Sequence, residues 1–357
     1  MRYAPHLSAL LVGLSLVTGC TATVSGDGGG EYTNAGTSSE SSGGRTGSSG
    51  SSSGGSSGPA APMPPSGNPK PVGAGILTAG VWDDNLNFAR YLTIGSLSSF
   101  MFTEAEHVSA RDAALLPAQA KSKLDITLLL DTTGSMGDEI NYLKAEFSSI
   151  HGKIVQAYPN AAPRWSLVLY RDKGDAYLTQ QSAFTTDPTA FKALLDAVGA
   201  DGGGDYPEAV KEGLDMAVSR DWRSDSDAAK LVFWVSDAPS HETPNDAVRL
   251  AQTKGLHVYP VAASGVDKTA EVLMRETAQM TGGRYIFLTN DSRVGNDHIE
   301  PSIPCYFVTT LDKAILRMVD IELTGIYREP AEEDILRKGG NPQSRICKSD
   351  SGDMTIY

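Results

Sequence analysis

The run Asp131-Thr132-Thr133-Gly134-Ser135-Met136 places a carboxylate and two hydroxyls on alternate residues. A turn through these positions aims Asp131, Thr133 and Ser135 at one point, and three hard oxygen donors aimed at one point suit a hard divalent cation. Magnesium takes about six oxygens at roughly 2.0 to 2.1 Å and keeps several waters, so such a cradle need supply only part of the set. Side chains of these types also cap helix starts, which is the plainer use of the motif. Ser135 invites a second chemistry, that of a nucleophile with Asp237 and His241 as orienter and base. Two features count against it. A nucleophile elbow needs Gly-x-Ser-x-Gly, whereas Thr133 stands where the first glycine should, and His241 follows Asp237 by only four residues in the same loop. His241 is better suited to packing that loop or lining its rim. The chain has no Gly-x-x-x-x-Gly-Lys-[Ser/Thr] phosphate loop, no dinucleotide-binding glycine pattern after a strand, and no His/Cys cluster at zinc spacing.

Hydrophobic periodicity shows which elements must hold these groups. Asp125 to Leu130 is nearly all apolar, as in a strand covered on both faces. A helix is expected from Gly137, with Ile140, Leu143, Phe147, Ile150 and Ile154 recurring at three- and four-residue steps. Further strands are predicted at 165–170, 177–184, 231–236, 257–262 and 284–288. Helices are predicted at 189–198, at 207–218 with Pro207 in the first turn, at 244–254, at 269–280 and at 311–323. Strands alternating with helices imply an α/β fold: a doubly wound, mostly parallel six-stranded sheet flanked by helices. Such sheets bind ligands beyond the carboxyl ends of the strands, where strand order reverses.

Asp131 to Ser135, between an apolar strand and an amphipathic helix, resembles the Asp-x-[Ser/Thr]-x-Ser motif of the metal-ion-dependent adhesion site in von Willebrand factor A domains. The resemblance covers about residues 124–323 and implies a Rossmann-like domain that holds Mg2+, or Mn2+ or Ca2+, through Asp131, Thr133 and Ser135. It implies two more ligands. Asp237 in Ser236-Asp237-Ala238 ends a strand where the family places an aspartate. Asp205 in Gly202-Gly203-Gly204-Asp205-Tyr206-Pro207-Glu208 stands where a threonine is commonest. Three ionised carboxylates as direct ligands would overcompensate a divalent ion, so Asp205 is expected to act through water, or the external ligand to be a neutral oxygen. Asp172, at the end of another strand, lies on the same rim. The implied function is binding without catalysis: a protein or glycan completes the coordination with a carboxylate or carbonyl oxygen. A structural role in an envelope assembly, with the ion only stabilising the fold, is the rival.

Composition bounds the rest. The 357 residues carry a formal net charge of −13 and no basic run, which argues against nucleic acid as partner. Residues 1–19 read as a signal peptide, with Arg2 before the apolar stretch Leu7 to Val17. Val17-Thr18-Gly19-Cys20 resembles the bacterial lipobox, which implies acylation of Cys20; Thr21 in place of aspartate implies sorting to the outer membrane. Residues 20–71 form an anchor and a Gly/Ser/Pro linker too poor in apolar side chains to fold. A linker of this kind reaches about 35 to 40 Å on average. Residues 72–123 are expected to form a short, strand-containing preface, whose Asp83-Asp84-Asn85 turn offers calcium ligands but more simply a solvated loop. Residues 324–357 form a C-terminal tail. With Cys20 acylated, Cys305 and Cys347 remain, either as a disulfide clipping the tail to the domain or as two separate thiols.

Overall fold

The computed structural model describes residues 72, 75–83, 88–99, 101–292, 298, 305–343, 346–348 and 354–355. The expected leader, Cys20 and the linker lie outside the described residues, as do Asp84 and Asn85. In chain order the elements are β1 (Thr78–Trp82), α1 (Phe88–Gly95), α2 (Glu104–Ala114), β2 (Lys123–Asp131), α3 (Gly137–Ala157), β3 (Arg164–Tyr170) and β4 (Thr179–Gln181). Then come α4 (Pro188–Asp196), α5 (Val210–Val218), β5 (Ala228–Ser236), α6 (Asn245–Lys254), β6 (His257–Ala262), α7 (Lys268–Thr281) and β7 (Tyr285–Leu288). The chain continues through β8 (Tyr306–Thr310), α8 (Leu311–Thr324), β9 (Arg337–Gly339), β10 (Asn341–Gln343), β11 (Ile346–Lys348) and β12 (Met354–Thr355).

The main sheet runs β4-β3-β2-β5-β6-β7-β1-β8-β9, nine strands where six were expected. Its centre is the parallel set β3-β2-β5-β6-β7, and all four pairings outside that set are antiparallel, so the sheet is mixed rather than mostly parallel. Of the three extra strands, β1 falls within the preface expected to contain a strand, whereas β8 and β9 lie outside every expected strand. β1 has five residues and is interrupted by Gly80, where a Cβ would stand 2.0 Å from the Phe287 ring, so the aromatic of β7 requires a glycine opposite it. β9 has three residues, too few to show a period of two.

Both faces of the sheet are covered. Leu124, Ile126, Leu128 and Leu130 of β2 pack with Ile140, Phe147 and Ile154 of α3 and Met318 of α8 on one side. Leu129 of β2, Val232 and Trp234 of β5 pack with Leu214 of α5, Val248 of α6 and Leu273 of α7 on the other. This two-sided burial is why β2 reads as nearly continuous apolar sequence. The segment before residue 124 is part of the same body, since β1 is an interior strand and α2 packs on α7. Its seam holds Arg275, fully buried, with the guanidinium carbon 4.3, 4.1 and 4.7 Å from the ring centroids of Trp82, Tyr91 and Tyr285 and an ion pair to Glu271 at 2.6 Å. Asp83 is buried in an ion pair with Arg317 at 2.9 Å and within 3.5 Å of Arg284, so its carboxylate serves packing. Cys305 and Cys347 form a disulfide with Cα atoms 5.7 Å apart, joining the chain before β8 to the small sheet β10-β11-β12. Among the described residues, no helix is long and apolar enough to cross a membrane.

Candidate metal centre

Strand order reverses between β2 and β5: the chain leaves β2 for β3 on one side and returns as β5 on the other. Asp131 closes β2, and Asp237 directly follows β5, so the two carboxylates flank the point where a doubly wound sheet opens its binding crevice. Asp131 is fully buried. Its Oδ1 accepts the Thr133 N–H at 3.0 Å and the Thr133 hydroxyl at 2.7 Å, and its Oδ2 accepts the Ser236 hydroxyl at 3.1 Å. Ser135 is exposed in the 3-10 turn Gly134–Met136 that leads into α3, and its hydroxyl is near enough to lower the pKa of the Asp237 carboxyl. The alternation Asp131, Thr133, Ser135 thus brings its three side chains onto the Asp131–Asp237 rim.

The third wall is the loop between α4 and α5. The Gly134 N–H donates to the Gly202 carbonyl at 3.1 Å and the Asp201 N–H to the Thr132 carbonyl at 3.1 Å, which pins the loop to the β2 end. Gly202 and Gly203 both have left-handed backbone, φ +80° and +74°, a conformation that disfavours a side chain. Space forbids one as well. A Cβ on Gly202 would sit 2.5 Å from the Asp175 carboxylate, which accepts the Gly203 N–H at 2.9 Å and the Asp172 N–H at 3.0 Å. A Cβ on Gly203 would be 3.1 Å from Thr133 Cβ and 3.1 Å from Glu208 Oε1. Further along, the Tyr206 hydroxyl donates to the Gly265 carbonyl and accepts the Asp267 N–H, both at 3.0 Å, bridging this loop to the one after β6.

The expected residues divide into two groups. Asp131, Thr133, Ser135 and Asp237 are linked as described. Asp205 stands instead with Asp172 and His241, their ligand atoms within 4.8 Å of one another, and His241 Nε2 is 2.7 Å from Asp172 Oδ1. Among the described residues, Asp131 and Asp237 form no such close group with either Asp205 or Glu208. His241 is therefore engaged with Asp172 at the rim and does not complete a Ser135 triad. Three residues without an expected role also face the centre. Ser236 bonds Asp131, buried Glu139 accepts the Ser264 N–H at 3.2 Å, and buried Glu208 meets Thr133 across Gly203. Glu208 lies within the glycine-rich run already singled out, but nothing in sequence marks it above Asp205.

The electrostatics are one-sided. Burial raises the Asp131 carboxyl above its ordinary range, against the lowering effect of its hydrogen bonds from Thr133 and Ser236. Burial, with further repulsion from Asp131 and Glu139, carries Asp237 up to about 7 despite the Ser135 hydrogen bond. Burial, followed by repulsion from Asp131, Asp172, Asp237 and Asp175, carries Glu208 up to about 8. No Lys or Arg is among the main influences on any of the three. Buried carboxylates are normally paired or bound to metal. Here Glu208 Oε2 and Glu139 Oε2 are buried with no hydrogen-bond partner. Hydroxyls and carboxylates without a balancing cation form a hard, oxygen-only donor set, and these orphaned oxygens fit a divalent ion.

The class so defined is a doubly wound α/β module with a carboxylate-and-hydroxyl rim at the reversal of strand order. Residues 125–290 match the family model of the von Willebrand factor A domain, and the chain carries a domain of that fold, which generally serves protein interaction or adhesion. Over 135 residues it is 32% identical to von Willebrand factor A domain-containing protein 7 of Mus musculus, covering 38% of this chain and 14% of that protein. It is 27% identical over 127 residues to the alpha-protein kinase vwkA of Dictyostelium discoideum, covering 35% of this chain and 20% of that one. Among solved structures it is similar to the conserved hypothetical protein BatB from Bacteroides thetaiotaomicron, at 14% identity and a TM-score of 0.39, over 55% of this chain and 97% of that one. The chain spans a fifth or less of the length of these curated relatives.

Proposed function

We propose that the rim holds a divalent cation, Mg2+ or alternatively Mn2+ or Ca2+, and that the domain binds its partner through that ion without catalysing a reaction. The observation that carries this is the gathering of Asp131 and Asp237, with the hydroxyls of Thr133 and Ser135, around one end of the sheet where negative charge is buried without a cationic side chain. A bound ion would supply positive charge and a coordination position for an oxygen from outside the molecule. Asp131 is held rigidly by Thr133 and Ser236, so its carboxylate is preset before any ion arrives. Ser135 is exposed and its hydroxyl lowers the pKa of the Asp237 carboxyl. Asp172, His241 and Asp205 form the outer rim beside it. The partner is a protein or glycan presenting a carboxylate or carbonyl oxygen. Acylation of Cys20 would tether the domain to the bacterial envelope, at the outer membrane, on the Gly/Ser linker.

The test is a pull-down from envelope extract with the chain on beads, in Mg2+ and in chelator, beside Asp131→Asn. Partner capture in Mg2+ that is lost in chelator and in the variant is expected. Capture undiminished in chelator overturns the proposal in favour of a scaffold whose ion only stabilises the fold.

A further inference from the structure

We infer that Glu208, and not Asp205, is the residue through which the loop between α4 and α5 serves the cation, an inference that rests on the metal reading of the rim. Glu208 is 4% exposed, and its Oε2 is buried with no hydrogen-bond partner. Its Oε1 lies 3.1 Å from the point where a Gly203 Cβ would stand, and Thr133 Cβ lies 3.1 Å from the same point, so the side chains of Glu208 and Thr133 close on one glycine from two sides. Asp131, to which Thr133 is bonded through both its hydroxyl and its N–H, is also the strongest charged influence on Glu208.

The backbone leaves Glu208 little choice of direction. Its N–H donates to the Pro239 carbonyl at 2.9 Å, its carbonyl accepts the His241 N–H at 3.2 Å, and the residue is bridged to Ser240 in the loop that follows Asp237. Glu208 is therefore fastened to the loop that follows β5 and Asp237. A buried acceptor without a donor weakens a fold, and among carboxylates the penalty is larger still. A cation at the rim removes that penalty, and Gly203 keeps the gap between Glu208 and Thr133 free of any side chain. Asp205, by contrast, is exposed and grouped with His241 and Asp172.

The experiment compares the full chain with Glu208→Gln, Asp205→Asn and Asp131→Asn by titration calorimetry with MgCl2, MnCl2 and CaCl2, and by thermal melting in chelator. Glu208→Gln is expected to weaken cation binding at least tenfold while its melting temperature in chelator stays within a few degrees of the wild type. Asp205→Asn is expected to change affinity by less than twofold. Wild-type affinity in Glu208→Gln or a tenfold loss in Asp205→Asn overturns the assignment. The rim itself fails separately, if the wild type binds none of the three ions or if Asp131→Asn binds as the wild type does.

Discussion

Glu146 offers a sharp test of how β1 is joined to the helix that begins at the rim. It lies on α3, its Oε1 accepts the N–H of Leu77 just before β1, and its Oε2 is buried without a partner. Burial carries its carboxyl from 4.5 up to about 7, with Asp312 adding to the rise and the Leu77 hydrogen bond and Lys153 opposing it. Because the folded value lies above the unfolded one, the stabilising contribution belongs to the protonated form. It is complete below about pH 4.5, shrinks as the pH rises, and is gone above about pH 7. A rise of this size corresponds to at most about 3 kcal/mol, or about 2 kcal/mol after allowance for solvent reaching the group. Urea unfolding in chelator at pH 5 and pH 8, on the wild type and Glu146→Gln, measures it, and the difference between the two proteins cancels the other titrating groups. The variant should gain about 2 kcal/mol on the wild type between the two pH values. A difference that stays level across that range would refute the placement of a buried carboxylate against the Leu77 amide.

Three further outcomes follow from contacts elsewhere. Asp131→Asn keeps the shape of the side chain and most of its hydrogen bonds, so its melting temperature in chelator should stay within a few degrees of wild type while the stabilisation by added Mg2+ disappears; differential scanning fluorimetry reads both. Paired Cys305→Ser and Cys347→Ser substitutions open a link between residues 42 apart, worth about 4 kcal/mol in the chain-entropy model, and urea midpoints with and without reductant should show a loss approaching this only in the wild type. Arg275→Met retains bulk among Trp82, Tyr91 and Tyr285 but leaves buried Glu271 to Lys268 alone, and should cost about 3 kcal/mol in chemical unfolding. An unchanged midpoint would mean that the buried ion pair and its aromatic cage contribute nothing net.

The parallel centre of the sheet could be read from residues because its strands are covered on both faces. Burial on two sides demands nearly continuous apolar runs, and β2, β3, β5 and β6 have them, with the buried Thr127 and Ser166 bonded to each other across β2 and β3. Of the antiparallel margin, β4 lies within the expected strand 177–184, but the places of β1, β8 and β9 could not be read. β1 joins β7 and β8 through register and backbone hydrogen bonds, and its place between strands that come some 200 residues later is a long-range fact that no local period encodes. The helices of the N-terminal segment were missed for a related reason. α1 has only eight residues, and α2, though eleven residues long, buries only His107, so neither shows a long apolar stripe.

At the rim, Asp131 and Thr133 were legible because the chain is still extended there and alternate side chains share a face, whereas Ser135 lies in the 3-10 turn that follows. The loop between α4 and α5 obeys no such rule. Gly202 and Gly203 both take positive φ, and each reverses the local course of the chain, so side-chain direction beyond them cannot be counted from residue number. Asp205 and Glu208 are three residues apart in sequence, yet one turns outward to Asp172 and His241 and the other inward against Thr133. A motif comparison picks the acid nearest the expected position, whereas the fold selects by burial. The contacts that decide between them, Glu208 N–H to Pro239 and Gly203 N–H to Asp175, run between loops about 30 residues apart in the chain. On the assignment inferred above, the third carboxylate at the rim is set by packing among loops, which is why substitution of Glu208 rather than Asp205 should disturb the ion.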